Sequence, residues 1–390
     1  MNVLVVNAGS SSLKYQLFDT TAGVVRAKGL CERIGIDGKI KHQNLETGAV
    51  YEKEIAMPNH TVATKIVIDA LLSAEYGSVK SMDEIEAVGH RIVHGGAYFS
   101  ESVLLTDEVL AKLELCRDLA PLHTGAHIMG IQGCLAAMPK TPQVLVFDTA
   151  FHTASMPDYA YVYPVSYDMY EKYAVRRYGA HGTSHRYVSG ECIKLLGGNG
   201  SSISAVKDGK VLDTSMGFTP LAGIEMGTRC GDIDPAIVPY IMNKTGMNAD
   251  EMNEYMNKKC GFLGVSGVSS DCRDVSAAAK AGNKRAKLAL DIVSYQIRKF
   301  IGAYTAAMGG LDAIVFTAGI GENDWEMRES VCSQLGYFGV EFDAEHNANL
   351  PRPLTATEIS KPTSKVKVFM IPTNEELVIA SDTERIVKAL

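Results

Sequence analysis

The 390-residue sequence has no C-x-x-C pair, only one tryptophan, and no apolar run long enough to cross a membrane. Its eight cysteines are scattered without the spacing of a zinc site, which predicts reduced thiols. The chain opens with a strand pattern and not with a basic, apolar leader segment. These absences predict a protein of the cytoplasm without structural disulfides.

The chain also carries a net negative charge. The formal net charge is −7 and the sequence pI is about 5.8, which argues against nonspecific attraction to nucleic acid or to anionic membranes. Neither G-x-x-x-x-G-K-[ST] nor G-x-G-x-x-G occurs, so a P-loop and a Rossmann cofactor site are both unsupported. Any anionic substrate must therefore be attracted by a local basic site.

The first 19 residues contain an unusual turn. Four apolar residues, 3–6, are followed by N-A-G-S-S-S-L-K at residues 7–14, after which a period-two strand pattern resumes. Glycine and serine are ordinary turn residues, so a solvated hairpin tip is one explanation. The other is a phosphate site, since backbone N–H groups, hydroxyls and an ammonium group converge there.

The order of the patterns predicts a duplicated α/β protein. Strands at 2–7, 13–18 and 24–30 precede helices at 60–75, 107–116 and 124–137, with further strands at 86–93 and 143–148. Residues 198–207 are similar to residues 7–14, and residues 312–317 are similar to residues 143–148. A long helix is expected near 284–308, and a last helix begins at 373–374. The length alone favours two domains.

Polar clusters that follow apolar runs are the candidate functional residues, because ligands bind at strand ends in α/β proteins. Arg91 and Arg229 lie in glycine-rich surroundings, where a guanidinium can be held to meet carboxylate or phosphate oxygens in two parallel bonds. His181 could donate to a phosphate, whereas His185 is expected to be structural. A surface ion pair is the alternative for either arginine.

Two other motifs, a histidine pair and the motifs of certain serine enzymes, have less support in the sequence. His123 and His127 are four residues apart, but no H-E-x-x-H is present, so a zinc pair is disfavoured. The S-x-x-K and K-T-G motifs of serine enzymes that act on β-lactams occur at 11–14 and 244–246. That chemistry needs its serine at the start of a helix, and here the serine joins two strands.

Together, N-A-G-S-S-S-L-K at 7–14, H-G-T-S-H at 181–185 and the run 213–235 closely resemble the acetate kinase family. The resemblance extends over essentially the whole chain. It implies an ASKHA fold, the duplicated α/β architecture of actin, sugar kinases and Hsp70-type ATPases, with an interdomain active-site cleft. The implied domains are 1–150 plus 375–390, and 151–374, of which the second binds nucleotide and forms the probable dimer interface.

The activity implied by the resemblance is reversible, Mg²⁺-dependent transfer of the ATP γ-phosphoryl group to acetate. The products are acetyl phosphate and ADP, Mn²⁺ can substitute for Mg²⁺, and the protein is a homodimer. A propionate or butyrate kinase of the same fold is an alternative. An ATP-gated ASKHA protein is another, which Arg91 and Arg229 disfavour because a scaffold needs no second anion site.

The resemblance also implies roles for individual residues. Catalytic roles fall to Arg91, Asp148, His181 and Arg229, with Asp148 orienting the metal, its waters or an arginine, and metal ligation to Asn7 and Glu375. The acid-binding residues are Arg91, Val93, Leu122, Pro220 and Ala180. The nucleotide-binding residues are Ser10, Ser12, Lys14, Asn199, Gly200, Asp271, Arg273, Gly319, Gly321 and Asn323.

The sequence departs from the family pattern at a few places. Ala180 stands where an aromatic residue usually precedes H-G-T-S-H, which leaves the acyl chain-length preference open, and Ala222 stands where glutamate is common. A strand that the family has before the second phosphate loop is missing between Gly197 and Gly198. We expect an omitted stretch there, with the numbering closed over it, and not a remodelled loop.

Overall fold

The computed structural model describes residues 1–196 and 203–390. The chain divides into two compact units. The first comprises Met1–Ala154, Ala180–Ser184 and Asn374–Leu390, and the second comprises Ser155–Gly179 and His185–Thr373. The Ala180–Ser184 segment, which carries most of the H-G-T-S-H motif, therefore packs with the first unit although its sequence neighbours belong to the second.

The first five strands follow one another without a helix, and helices lie between several of the later strands. In chain order the strands are β1 (Asn2–Ala8), β2 (Ser12–Asp19), β3 (Val24–Glu32), β4 (Lys39–Asn44), β5 (Val50–Glu54), β6 (Ala87–Ile92), β7 (Val103–Leu104), β8 (Gln143–Phe147), β9 (Ser204–Lys207), β10 (Lys210–Thr214), β11 (Ala313–Phe316), β12 (Thr357–Glu358) and β13 (Lys367–Met370).

The helices range from one turn to seven turns. They are α1 (His60–Leu71), α2 (Asp107–Leu115), α3 (Pro121–Ala137), α4 (Ala150–Thr153), α5 (Asp158–Tyr161), α6 (Tyr167–Tyr173), α7 (Gly182–Leu196), α8 (Ile237–Thr245), α9 (Ala249–Lys258), α10 (Gly261–Ser266), α11 (Cys272–Lys280), α12 (Lys284–Met308), α13 (Ala318–Asn323), α14 (Trp325–Cys332), α15 (Ala344–Ala348) and α16 (Glu375–Val387).

The first unit is built on one mixed sheet with the order β5-β4-β3-β2-β1-β6-β8-β7. Strand β1 lies at its centre, antiparallel to β2 and parallel to β6. Leu4 and Val6 pack toward α1 and α3, whereas Val3 and Val5 pack toward α16. Because both faces of β1 are covered, its sequence is a continuous apolar run without alternation.

The predicted elements of the first unit are confirmed, with small shifts at two helix ends. Helix α1 ends at Leu71, four residues before the predicted end, because residues 73–77 form a turn closed by a bond from Gly77 N to Ser73 O. Helix α3 begins at Pro121, three residues before the predicted start, where proline suits the first helical turn. The predicted long helix, α12, has the expected bounds.

The second unit repeats part of this arrangement. Strand β13 is parallel to β11 and antiparallel to β12, as β8 is parallel to β6 and antiparallel to β7. Thus β11 corresponds to β6, and the predicted match of 312–317 with 143–148, which contains β8, is wrong. Short apolar strands resemble one another in sequence, and only the pairing distinguishes them.

A joining strand distinguishes the two units. In the first unit β1 connects the hairpin strand β2 to β6. In the second unit, over the residues that the structure describes, β9 and β10 form one sheet while β11, β13 and β12 form another, and no strand connects them. The expectation about Gly197 and Gly198 concerns positions outside the described residues and stays a prediction.

No helix in the described ranges is both long and apolar enough to span a membrane.

Candidate functional site

The turn between β1 and β2 is tight and exposed at its tip. Gly9 N donates to Ser12 O at 2.8 Å, and His60, the first residue of α1, contacts Gly9 O through Nε2 at 2.7 Å. The side chain of Ser10 is exposed and that of Ser12 is half-buried. The turn therefore presents hydroxyl groups at the end of the central strand, as the phosphate-site hypothesis requires.

Arg91 lies near the carboxyl end of β6, beside the end of β1. Its Nη2 donates to Asp148 Oδ2 at 2.5 Å, and its Nη1 donates to Asn7 Oδ1 at 3.3 Å. Its Nε lies 3.4 Å from Glu375 Oε2. The parallel strands thus bring together Asn7, Arg91 and Asp148, and the start of α16 adds Glu375, although the four are far apart in sequence.

Asp148 is only 1% exposed, and its two carboxylate oxygens face different partners. Oδ2 accepts from Arg91, and Oδ1 accepts from the Thr183 hydroxyl at 2.7 Å. Burying a carboxylate is costly unless its oxygens are hydrogen-bonded. The two donors satisfy this requirement and fix the carboxylate relative to Arg91.

The H-G-T segment contacts Asp148 through its main chain as well. Gly182 N donates to Asp148 O at 2.7 Å, and a Cβ at position 182 would lie only 2.3 Å from that oxygen. His181 adopts a left-handed backbone with φ of 61°, which is uncommon for a residue with a side chain. Glycine is therefore required at 182 for this close approach.

Two glutamates at the start of α16 complete the cluster. Asn374 caps the helix by accepting from Leu377 N at 3.1 Å. Glu376 forms an ion pair with Lys14. Burial, together with the nearby Asp148 carboxylate and against the opposing effect of Arg91, raises the pKa of Glu375 to about 7. The positive charge of Arg91 therefore does not by itself keep Glu375 ionised beside the Asp148 carboxylate.

The donors of this cluster fit a magnesium ion. Magnesium prefers oxygen ligands and keeps several waters, so it needs only one or two protein carboxylates. Asn7 offers an amide oxygen, and Glu375 offers a carboxylate whose ionised form a cation would stabilise. Within the described residues no three His, Cys, Asp or Glu side chains form a metal-binding group. The site thus suits a metal that is held partly by a substrate.

Arg229 lies in a loop of the second unit that is held by main-chain bonds. Cys260 N donates to Thr228 O at 3.0 Å, and Phe262 N donates to Met226 O at 2.9 Å. A Cβ on Gly261, whose φ is 61°, would lie 2.0 Å from Met226 O. Burial lowers the pKa of the Arg229 guanidinium. No carboxylate in the described part of the chain forms an ion pair with it, so it can accept an external anion.

The second unit also contains an open cavity of about 720 Å³. Asp271, Arg273, Gly319 and Asn323 line it, together with Trp325. These four are among the predicted nucleotide-binding residues. Gly321 does not line the cavity, and its carbonyl oxygen accepts from Arg328 Nη1 at 2.9 Å.

The remaining predicted residues are less informative. Val93 is half-buried just after β6, and Ala180 is buried in the first unit. Pro220 belongs to the second unit and is half-buried. Leu122 lies in the first turn of α3, and its side chain is outside what the structure describes. Asn199 and Gly200 lie outside the described residues, so their predicted role stays a prediction.

Comparison with known proteins identifies the family. A sequence model of the Acetokinase family matches residues 2–381. The chain belongs to the acetokinase family. An acetate kinase of Treponema denticola is 56% identical, with 100% of both chains covered, and one of Clostridium botulinum is 54% identical, with 99% of both covered. The family predicted from the motifs is confirmed.

Solved structures confirm the predicted fold. A Porphyromonas gingivalis acetate kinase is similar with a TM-score of 0.92 and 47% identity, covering 99% of both chains. A propionate kinase of Francisella tularensis gives 0.90 and 41% identity, covering 98% of this chain and 99% of that one. Full-length likeness to kinases favours a phosphotransferase over an ATP-gated protein of the same fold.

One acetokinase relative aligns with this chain over more positions than the chain has residues. The alignment with the Treponema denticola protein spans 402 positions, although this chain has 390 residues. Some positions of that relative therefore have no counterpart in this chain.

Sequence reasoning missed Thr183 and His60 as parts of the site. Thr183 was visible inside the H-G-T-S-H motif, but its partner Asp148 is 35 residues away in sequence. His60 stands at the start of a helix with no local sign of its contact with Gly9. No signal in the sequence indicated either pairing, because both depend on how helices pack on the sheet.

We expect Thr183→Val to destabilise the protein, because it leaves one buried oxygen of Asp148 without its donor. A hydrogen bond to a charged group contributes about 1.5 to 3 kcal/mol, so the free energy of unfolding should fall by that amount. Thr183→Ser keeps the hydroxyl and should cost less. Denaturant unfolding measures both. Thr153→Val, whose hydroxyl bonds a helix carbonyl, is the control. Equal stability of the Val and Ser variants would contradict the assignment.

Glu225 is an unusual buried acid close in sequence to Arg229. Its side chain is 4% exposed, and neither carboxylate oxygen has a hydrogen-bond partner among the described residues. Its main-chain N donates to Gln296 Oε1 at 2.6 Å. Burial raises the pKa of the carboxyl to about 7. The folded protein therefore favours the protonated form.

This pKa predicts a pH-dependent loss of stability. The protonated form contributes its full stability below the unfolded pKa, near 4.5, and the contribution is lost as the pH rises through about 7. Relative to Glu225→Gln, the wild type should lose roughly 2 to 3 kcal/mol between pH 4.5 and pH 8. Unfolding free energies across this range test it. Glu375 titrates in both proteins, so its effect cancels. A constant difference would show that Glu225 is solvated.

Proposed function

We propose that the chain catalyses reversible, magnesium-dependent transfer of the ATP γ-phosphoryl group to acetate by direct in-line transfer, giving acetyl phosphate and ADP. The observation that carries the proposal is Arg91, held by Asp148 at the carboxyl end of β6 with Asn7 and Glu375 beside it. The acetate kinases at 52 to 56% identity support acetate as the acid.

Positioning and positive charge supply most of the catalysis in this reaction. Phosphoryl transfer passes through a loose, anionic transition state, so cations and donors are needed where that charge forms. Arg91 and Arg229 hold the carboxylate and the transferred group, and His181 donates to it. Acetate is already ionised at neutral pH, with a carboxyl pKa near 4, so Asp148 orients Arg91 and does not act as a base.

The nucleotide and the metal are assigned to the predicted site residues as follows. Adenosine binds in the second-unit cavity, near Asp271, Arg273, Gly319, Gly321 and Asn323. The phosphates are bound by Ser10, Ser12 and Lys14, with Asn199 and Gly200 forming the second phosphate loop. Asn7 and Glu375 would hold Mg²⁺, for which Mn²⁺ could substitute, and a bound ion would neutralise phosphate charge. Val93, Leu122, Ala180 and Pro220 surround the acyl group.

The test is ADP release from Mg-ATP with formate, acetate, propionate or butyrate present, and with no acid. Trapping of the acyl phosphate by hydroxylamine should match ADP mole for mole. We expect ADP release that depends on acetate. ATP hydrolysis that is the same with and without acid, and without acyl phosphate, would overturn the proposal.

Arg229→Lys tests the arginine within this assay. An ammonium group cannot reproduce the two parallel bonds of the guanidinium, so turnover should fall by the equivalent of roughly 2 to 4 kcal/mol. Trp325, the single tryptophan, lines the cavity, so its fluorescence should report unchanged ATP binding. Arg298→Lys is the matched control, at a half-buried arginine of α12 whose Nη1 donates to the Ser330 carbonyl oxygen. Near-wild-type turnover in Arg229→Lys would remove this residue from the site.

We also propose a cytoplasmic homodimer. All eight cysteines are free thiols, which suits a reducing compartment. Away from the stripe that it buries, helix α12 carries the apolar residues Leu288, Ile292 and Tyr295, of which Leu288 and Tyr295 are exposed and Ile292 is half-buried. Such a face suits an interface. We expect twice the chain mass by light scattering, and a single-chain mass for Tyr295→Glu. Tyr337→Glu, at another exposed tyrosine, is the control. A single-chain mass for the wild type would exclude the dimer.

A further inference from the structure

His127 is a buried histidine for which the proposed mechanism has no role. It lies on α3, one turn after His123, and is 2% exposed. Its Nε2 accepts a hydrogen bond from the main-chain N–H of Val93 at 3.2 Å. Val93 follows Arg91 by two residues, immediately after the end of β6. The imidazole therefore contacts the chain between the anion-binding arginine and the half-buried side chain of Val93.

The charge state of His127 keeps this bond in place. Burial, assisted by the charge of the nearby Arg91 guanidinium, lowers the pKa of its imidazole to about 3. A neutral ring with its proton on Nδ1 leaves a lone pair on Nε2 for the Val93 N–H. The acceptor is thus present across the pH range in which the proposed reaction would be measured.

The segment that follows β6 is held by bonds on both sides of Val93. Asp148 N donates to Ile92 O at 2.8 Å, and Gly95 N donates to Thr149 Oγ1 at 3.1 Å. Both bonds come from the turn after β8. At Val93 itself, the main-chain N–H donates to His127 Nε2, which belongs to α3. Removing His127 would release Val93 while leaving the bonds at Ile92 and Gly95 in place.

We infer that His127 is a positioning residue that sets acyl chain-length selectivity by holding the main chain at Val93. This inference rests on the proposed function, in which Val93 forms part of the wall around the acyl group. A fixed wall penalises a longer acid, whereas a released wall can move to admit one more methylene. His127 therefore affects the selectivity for the size of the acid. It does not affect nucleotide binding or the charge of Arg91.

The test is the ratio of kcat/KM for acetate to that for propionate. One methylene in an apolar pocket changes kcat/KM by about 10- to 200-fold, so a released wall should lower the ratio by about fivefold or more. We expect this in His127→Leu, which keeps the volume but lacks the acceptor. His127→Gln, whose Oε1 can reach the Val93 N–H, should keep the ratio within about twofold. The KM for ATP should not change in either.

His42→Leu is the matched control, because His42 is a fully buried histidine of the same unit that contacts the Tyr15 hydroxyl and the Tyr76 carbonyl. It should lower stability without changing the ratio. If His127→Leu does not fold, His127→Met replaces it with the same expected result.

An unchanged ratio in an active Leu or Met variant would overturn the inference, as would an equal change in the Gln variant. These outcomes are distinct from failure of the proposed function. In that case the wild type itself would form no acyl phosphate from any acid.

Discussion

Burial of the Asp148 carboxylate is the constraint on which the first unit's site depends. A buried carboxylate without donors would cost several kcal/mol, so the fold supplies one donor to each oxygen. Arg91 comes from the neighbouring parallel strand, and Thr183 comes from a segment that follows a long excursion of the chain into the second unit. The same bonds that neutralise Asp148 therefore orient Arg91 and attach the H-G-T segment to the first unit.

The same burial has opposite effects on the acids and bases around this cluster. It raises the pKa of Glu375 to about 7, because a carboxylate loses its hydration, and it lowers the pKa of His127 to about 3, because an imidazolium does. Arg91 opposes the shift of Glu375 and reinforces that of His127. Near neutral pH the cluster therefore combines a permanent cation, a carboxyl that a metal would ionise, and a neutral acceptor.

The duplicated strand arrangement explains why polar residues collect at strand ends in both units. Parallel strands β6 and β8, like β11 and β13, end at the same edge of a sheet. The units differ at the position of β1, which joins two halves of a sheet only in the first unit within the described residues.

Short-range patterns in the sequence determined several strands, helices and functional motifs of the protein. The apolar run of β1, the caps and stripe of α12, and the family motifs around Arg91, His181 and Arg229 are all carried by neighbouring residues, so they could be predicted without coordinates. The tertiary structure decided which elements meet. It made β11 the counterpart of β6, placed Thr183 beside Asp148 and His127 beside Val93, and buried the Glu225 carboxylate without a hydrogen-bond partner among the described residues. These outcomes depend on contacts between residues distant in sequence, and the identity of a single residue or its neighbours does not encode such contacts.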